Sequence, residues 1–540
     1  MGSISRSLLV SSVLYGAVLL FVCLYMLHHR AVADGVLSHK SDLQRQRFHR
    51  LNAAHKSSPS GDLFVVGDSI SLYSSGGFPQ KLAAALGIPE SNQHITSIGG
   101  ASLADMLSCK TTPGCSPGGN YPYQVDELPL TFPLGLTSNS KTVLQMAYND
   151  LSNMKGSPNN AQLSYYFGGL KAWILMYAIP DDQKIAANDA THCATTGSWG
   201  VATSVPGNGT FPAGTIETTT PGATITCTAP AATDAGFIGL KTVGSSATFT
   251  ISVTDAGITS NVPDPYTNST TLNQTAPYSS MWNGISNFYA IGKSGLSDGY
   301  ISITLTAINN SGDPVYVVAP YFLSPSSVPR NAPMVEVMLE SRAGCNGTCS
   351  TIMGALHNEA NTNKMRAAQI AAVNELHTSG LNVTYFDPNA SPAGYNSSDV
   401  AQTTRVAQYT VTAGGSRYAN GNMTVTGCTI APTATARVSG GVITPGTYYF
   451  TTQGACAGGS PVITFTGGGT GATAKASTIS DGTHPNEIGG QNIANAAFAN
   501  FNSALMAHNR LQASLTGCKK NCSPHGTGTM QMQHPHSRQM

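Results

Sequence analysis

Two positions in this chain have neighbours suited to nucleophilic catalysis: Ser69, in Gly67-Asp68-Ser69-Ile70, and His484, in Asp481-Gly482-Thr483-His484. A serine hydroxyl is a weak nucleophile until a base within hydrogen-bond reach takes its proton. The spacing of Asp481 and His484 lets both come from one loop. Asp481 can then hold the imidazole by its Nδ1–H and leave Nε2 for the Ser69 proton. Acyl transfer also requires preorganised donors for the developing oxyanion. Gly100 can bring its backbone N–H close to substrate because it has no side chain. Asn149 can offer its side-chain amide, and the Ser69 N–H would be the third donor. Each residue alone has a plainer account. Asp68-Ser69 and Asp481/His484 could cap helices, Gly99-Gly100 could be a strand-to-loop turn, and Asn149-Asp150 could be a turn. Asp105, Asp150 and His94, close by in sequence, read as solvated or structural, and Met146 as core packing.

These residues need elements to hold them. Residues 63–66 form a short apolar, β-branched run, which reads as a buried strand ending at Gly67. A helical pattern follows, with Phe78, Leu82, Ala85 and Leu86 on one face. Further strands are expected at 95–98, 143–147, 335–339 and 383–386. Helices are expected at 165–179 and 360–376, and from Pro485 to about 505 with the proline in the first turn. Alternating strands and helices imply a parallel sheet covered on both faces. Each candidate residue then falls just past a strand's carboxyl end or at a helix start, where open α/β sheets bind ligands.

In this order, Gly67-Asp68-Ser69, Gly100 in Gly-Gly-Ala-Ser, Asn149 in Ala-Tyr-Asn-Asp, and Asp481-x-x-His484 resemble the four blocks of the SGNH (GDSL-type) hydrolases. The resemblance implies an α/β class protein with a flavodoxin-like three-layer α/β/α core. It also implies ester hydrolysis through an acyl-enzyme, without cofactor or metal. By position, Ser69 would be nucleophile, His484 base, and Gly100 and Asn149 oxyanion donors. The third block usually reads Gly-x-Asn-Asp, whereas Ala147 stands here; its methyl would narrow the crevice without removing the Asn149 amide. The resemblance covers 61–187, 327–403 and 479–507. Between these pieces, 188–326 and 404–478 are rich in Thr, Ser and Gly with short alternating runs, as in Ala247–Val253, and read as inserted β-rich, sandwich-like modules. Glycines in the second module indicate turns at positive φ.

The ends of the chain and its composition address location. Residues 8–26 are a near-continuous apolar run, preceded by Arg6 and followed by Arg30 and a small-x-small site at Ala31-Val32-Ala33. Residues 1–33 are therefore expected to be a cleaved signal peptide or an uncleaved signal anchor. Residues 34–60 read as a linker and 508–540 as a tail. Apart from Cys23, the cysteines fall as five close pairs, which in an exported chain suggests disulfides. Neighbour pairing would give Cys109–Cys115, Cys193–Cys227, Cys345–Cys349, Cys428–Cys456 and Cys518–Cys522. A zinc site around Cys518, Cys522, His525, His534 and His536 is the rival for the last pair. The net charge of +1 argues against a nucleic-acid partner, and only the N-terminal segment would meet a membrane. The expected substrate is an acylated small molecule or glycan, with short-chain or acetyl esters on polysaccharide in front. A lipase or acyltransferase with the same triad, and a surface carbohydrate-binding or adhesion protein with a degenerate hydrolase core, remain as alternatives.

Overall fold

Five short strands form one parallel sheet: β1 (Leu63–Gly67), β2 (Gln93–Ser97), β3 (Lys141–Gln145), β4 (Met334–Met338) and β5 (Val383–Phe386). In this computed structural model they pair in the order β5-β4-β3-β1-β2, all parallel. That is the 2-1-3-4-5 order of flavodoxin-like sheets. The structure describes residues 61–68, 70–71, 77–97, 101–103, 105, 136, 139–180, 183–203, 211–279, 285–308, 312–325, 333–341, 356–390, 405–428, 431–455, 461–479, 485 and 489–503.

Successive residues of a strand point to opposite faces. Phe64, Val66, Leu144, Val335 and Val337 join one large apolar cluster, while Leu63, Val65 and Val143 on the alternate side are equally buried. The sheet is therefore covered on both faces, as the unbroken apolar run of β1 requires. The helices are α1 (Phe78–Leu86), α2 (Tyr148–Asn153), α3 (Asn160–Ala178), α4 (Glu359–Thr378) and α5 (489–503). Helix α3 starts five residues before the apolar pattern does, because Asn159 and Gln162 form a capping box. Asn500 of α5 donates to the Tyr385 carbonyl at 3.2 Å and so ties α5 to β5. Pro485 lies in an isolated bridge, not in a first helical turn as expected.

Helix α3 has sixteen buried residues among its nineteen. An all-round apolar helix must have neighbours on every side, and here the second neighbour is the first inserted module. Its two long strands, Thr224–Thr242 and Ser286–Ala307, pair antiparallel within a continuous nine-stranded sheet. From Thr224 to Ala229 the first strand alternates half-buried and buried, but from Phe237 to Ile238 and Leu240 both faces are covered. Ile238, Leu240, Phe288 and Ala290 face the α3 cluster, while Phe237 and Ile291 face a second apolar core inside the module. Cys193 and Cys227 are cross-strand neighbours in this sheet and form the expected disulfide.

The second module forms a five-stranded antiparallel sheet over 405–479, with its own core around Tyr409, Tyr418, Phe450 and Phe465. Its chain turns at Gly468, at φ 83°, as the sequence indicates, whereas Gly471, at φ 82°, lies within the strand Thr470–Ile479 and not in a turn. Cys428 is disulfide-bonded; Cys456 and the other expected pairs lie outside the described residues. Among the described residues no helix is long and apolar enough to cross a membrane, and no metal-binding cluster occurs. The apolar run at 8–26 and the Cys/His tail lie outside them.

Candidate active site

The chain runs from β1 to β2 on one side and then crosses to β3 on the other, so a crevice opens at the carboxyl ends of β1 and β3. Asp68 follows β1 directly. Its backbone N–H donates to Gln145 Oε1 at the end of β3 at 3.1 Å, and Ser71 Oγ donates to the same oxygen at 2.8 Å. Gly67 leaves room for this. A Cβ there would sit 2.1 Å from Ser71 Oγ and 2.8 Å from Gln145 Oε1. Asp68 Oδ1 accepts the Ile70 N–H at 2.8 Å, across position 69. This is the cap geometry that the sequence allows for Asp68.

Asn149 lies in the first turn of α2, just past β3. Its Nδ2 donates to Asp68 Oδ2 at 3.2 Å and to the Ala101 carbonyl at 3.0 Å. The segments holding the first three sequence blocks therefore meet at one side chain. Ser69, Gly100, Asp481 and His484 lie outside the described residues. Ala147 precedes α2 at φ 171°, outside the left-handed region that favours glycine, so the departure from glycine needs no left-handed backbone.

Around Asn149 the polar groups are deeply buried. Asp150 is fully buried; it accepts from Leu103 N–H at 3.3 Å and from the Tyr278 hydroxyl at 3.0 Å. Burial pushes its carboxyl up to about 8, against those two hydrogen bonds and with the Asp105 and Asp68 carboxylates adding to the rise. Asp105 accepts from Ser102 N–H and Oγ at 2.8 and 3.0 Å and shapes the same loop. Both aspartates are thus structural and neither is solvated; His94 is partly exposed and stacks on Phe64.

A second cluster, which no motif in the sequence marks, lies at the end of β4. His357, just ahead of α4, stacks on Tyr148 with ring centroids 3.8 Å apart. Its Nε2 is 2.8 Å from Ser152 Oγ, and its Nδ1 is 3.9 Å from Glu340. Burial lowers the His357 pKa to about 4 and raises that of Glu340. Ser152 is inside α2 with its hydroxyl also donating to the Tyr148 carbonyl at 3.2 Å, so this cluster anchors the helix that carries Asn149. Gln145 and Glu340, polar residues beside apolar strand runs, were the only local signal for these contacts.

At the opposite end of the sheet a cavity of about 540 Å³ opens between Leu175 of α3 and Ile179 just after it, Val318 and Phe322 of the inserted sheet, and Leu381 ahead of β5. Its lining is mostly apolar, with Tyr321 and Phe322 beside the aliphatic residues and Gln183 and Lys184 among them, and it is separate from the carboxyl-end crevice.

No family model matches the chain, and no curated protein matches it in sequence. Among solved structures, a two-domain esterase active on acetylated mannans is similar at 10% identity and a TM-score of 0.26, over 51% of this chain and 94% of that one. A family 6 carbohydrate-binding module is similar at 21% identity and 0.17, over 26% and 90%. A family two carbohydrate esterase from Cellvibrio japonicus is similar at 11% identity and 0.12, over 38% and 51%. With TM-scores this low, none of the three bears on the reaction.

Proposed function

We propose that this chain is an exported serine esterase of the SGNH kind, with Ser69 as nucleophile, His484 as base oriented by Asp481, and Gly100 and Asn149 as oxyanion donors. One observation carries the reading. The Asn149 amide bridges Asp68 and Ala101, residues 81 and 48 positions away, at the switch point of a 2-1-3-4-5 parallel sheet. Three short blocks that are unremarkable singly thus belong to one crevice.

In the proposed reaction His484 takes the Ser69 proton as Oγ attacks the acyl carbon. The new oxyanion is met by the Ser69 and Gly100 N–H groups and by Asn149 Nδ2, the substrate oxygen replacing Asp68 Oδ2, the longer of its two contacts. The C–O bond to the alcohol breaks, the alcohol leaves with the proton from His484, and water then releases the acid by the same route. Export accords with the Cys193–Cys227 disulfide, which persists in oxidising compartments. Short acyl groups on a glycan suit two β-rich modules on a low-charge chain with twenty-one tyrosines, one of which, Tyr300, is 65% exposed on the first module.

Replacing Ser69 with Ala is expected to lower p-nitrophenyl acetate hydrolysis by roughly 10³-fold or more and to abolish labelling by an organophosphonate. Unchanged hydrolysis in that variant would remove the assignment. Faster turnover of acetyl than octanoyl esters is expected; the reverse order would favour a lipase.

A further inference from the structure

We propose that the first inserted module supplies a positioning residue to this site: Tyr278, acting through Asp150 on the loop that begins at Ala101. The inference rests on the esterase reading and extends it to the module's role.

Tyr278 follows the short strand Leu272–Asn273 of the inserted sheet, and the backbone between is pinned by Gln274 N–H to the Ala247 carbonyl and Ala276 N–H to the Thr242 carbonyl, both at 3.0 Å. Its buried ring meets Tyr165 of α3 edge-on, with centroids 5.0 Å apart. Its hydroxyl then donates to Asp150 Oδ1 at 3.0 Å, 128 residues away in sequence. The other donor to that carboxylate is the Leu103 N–H. Asn149 and Asp150 therefore grip the loop at two points, the Ala101 carbonyl and the Leu103 N–H, directly after Gly100. One of those two grips depends on a carboxylate that the module orients.

The setting makes that orientation matter. Among the described residues, the groups facing Asp150 are the Asp68, Asp105 and Glu340 carboxyls and the Tyr165, Tyr166 and Tyr278 hydroxyls, with no cation among them. Two hydrogen bonds are what favour its ionised form against burial. Only the ionised form accepts from Leu103 N–H and the Tyr278 hydroxyl with full strength. Removing the hydroxyl raises the Asp150 pKa further, so the loop is held only at more alkaline pH. Sequence separation hides this link, because nothing near Tyr278 marks it as a neighbour of Asp150.

The test is Tyr278→Phe in the full chain, which keeps the ring and its contact with Tyr165. For p-nitrophenyl acetate, kcat near pH 7, where Asp150 is mostly protonated, is expected to fall roughly tenfold as its ionised fraction drops further, with little change in KM. The ionisation limb near pH 8 should move upward, so that activity is recovered on the alkaline side. Hydrogen exchange at the Leu103 amide, read without substrate, should quicken in the variant. An unmoved pH limb together with unchanged Leu103 exchange would overturn the proposal. If Ser69→Ala hydrolyses as fast as the parent, the esterase reading fails instead, while Leu103 exchange still decides whether Tyr278 holds the loop.

Discussion

Asp150 and His357 flank Asn149 and titrate in opposite senses. The buried Asp150 holds its proton up to about pH 8, whereas an unfolded carboxyl releases it near 4. The folded state therefore binds the extra proton across that window, and the Asp150 contribution to stability falls as pH rises through it. His357 stays neutral down to about pH 4, while an unfolded imidazole protonates near 6.5, so its contribution is lost as pH falls. Below about pH 6.5 the two offset each other; above it Asp150 acts alone of the pair. Asp150→Asn, which keeps the side chain's shape, should therefore gain stability relative to the parent by about 2 kcal/mol between pH 6.5 and 8. Urea unfolding at the two pH values checks this, and a pH-independent difference would mean that Asp150 ionises normally.

Helix α3 joins two sheets, and its surface is shaped for both. Gly168 and Gly169 form a notch on the side of the inserted sheet. A Cβ on Gly168 would lie 2.2 Å from the Tyr289 ring, and one on Gly169 2.4 Å from the Asn287 amide. In an isolated helix, Gly to Ala gains about 0.5–1 kcal/mol. Here the same change must displace Tyr289, whose hydroxyl bonds Ser164 of α3 and Asp264 at 3.0 Å each. Gly168→Ala should thus destabilise by about 1–3 kcal/mol, the usual cost of overpacking, visible as a lower Tm. Three residues along, Lys171 is buried between Glu375 at 2.6 Å and Asp234 at 3.5 Å. Burial opposes its charge, but Asp234, Tyr321 and Glu375 outweigh that and hold its pKa above the usual lysine range. The helix therefore carries an ionic tie between α4 and the module as well as an apolar face.

Across the molecule, one apolar cluster runs from the parallel sheet through α3 into the inserted sheet. The module is thereby part of the core's folding unit and is not an appendage on a linker. Its outer end is closed by Cys193–Cys227, bridging 34 residues. Replacing both cysteines with Ala should cost about 4 kcal/mol by the chain-entropy estimate, and thermal unfolding of the double variant measures it. Since the module's inner strands bear on α3 and on Tyr278, activity should fall at a lower temperature in that variant as well.

Much of this organisation is legible in local patterns. Short β-branched runs, helical spacing and turn glycines depend on neighbours in sequence, so β1, β5, α4 and the turn at Gly468 follow from the chain alone. The placing of Asp68 and Asn149 at strand ends is local in the same way. The contacts between them are not. The order 2-1-3-4-5, the Asn149 amide on Asp68 and Ala101, the burial of Asp105 and Asp150, and the reach of Tyr278 to Asp150 all arise from packing between segments tens to more than a hundred residues apart. Residue types and spacing determined which groups could do chemistry; only tertiary packing, which removes water from some polar groups and pairs others across the sheet, decided which of them stand together.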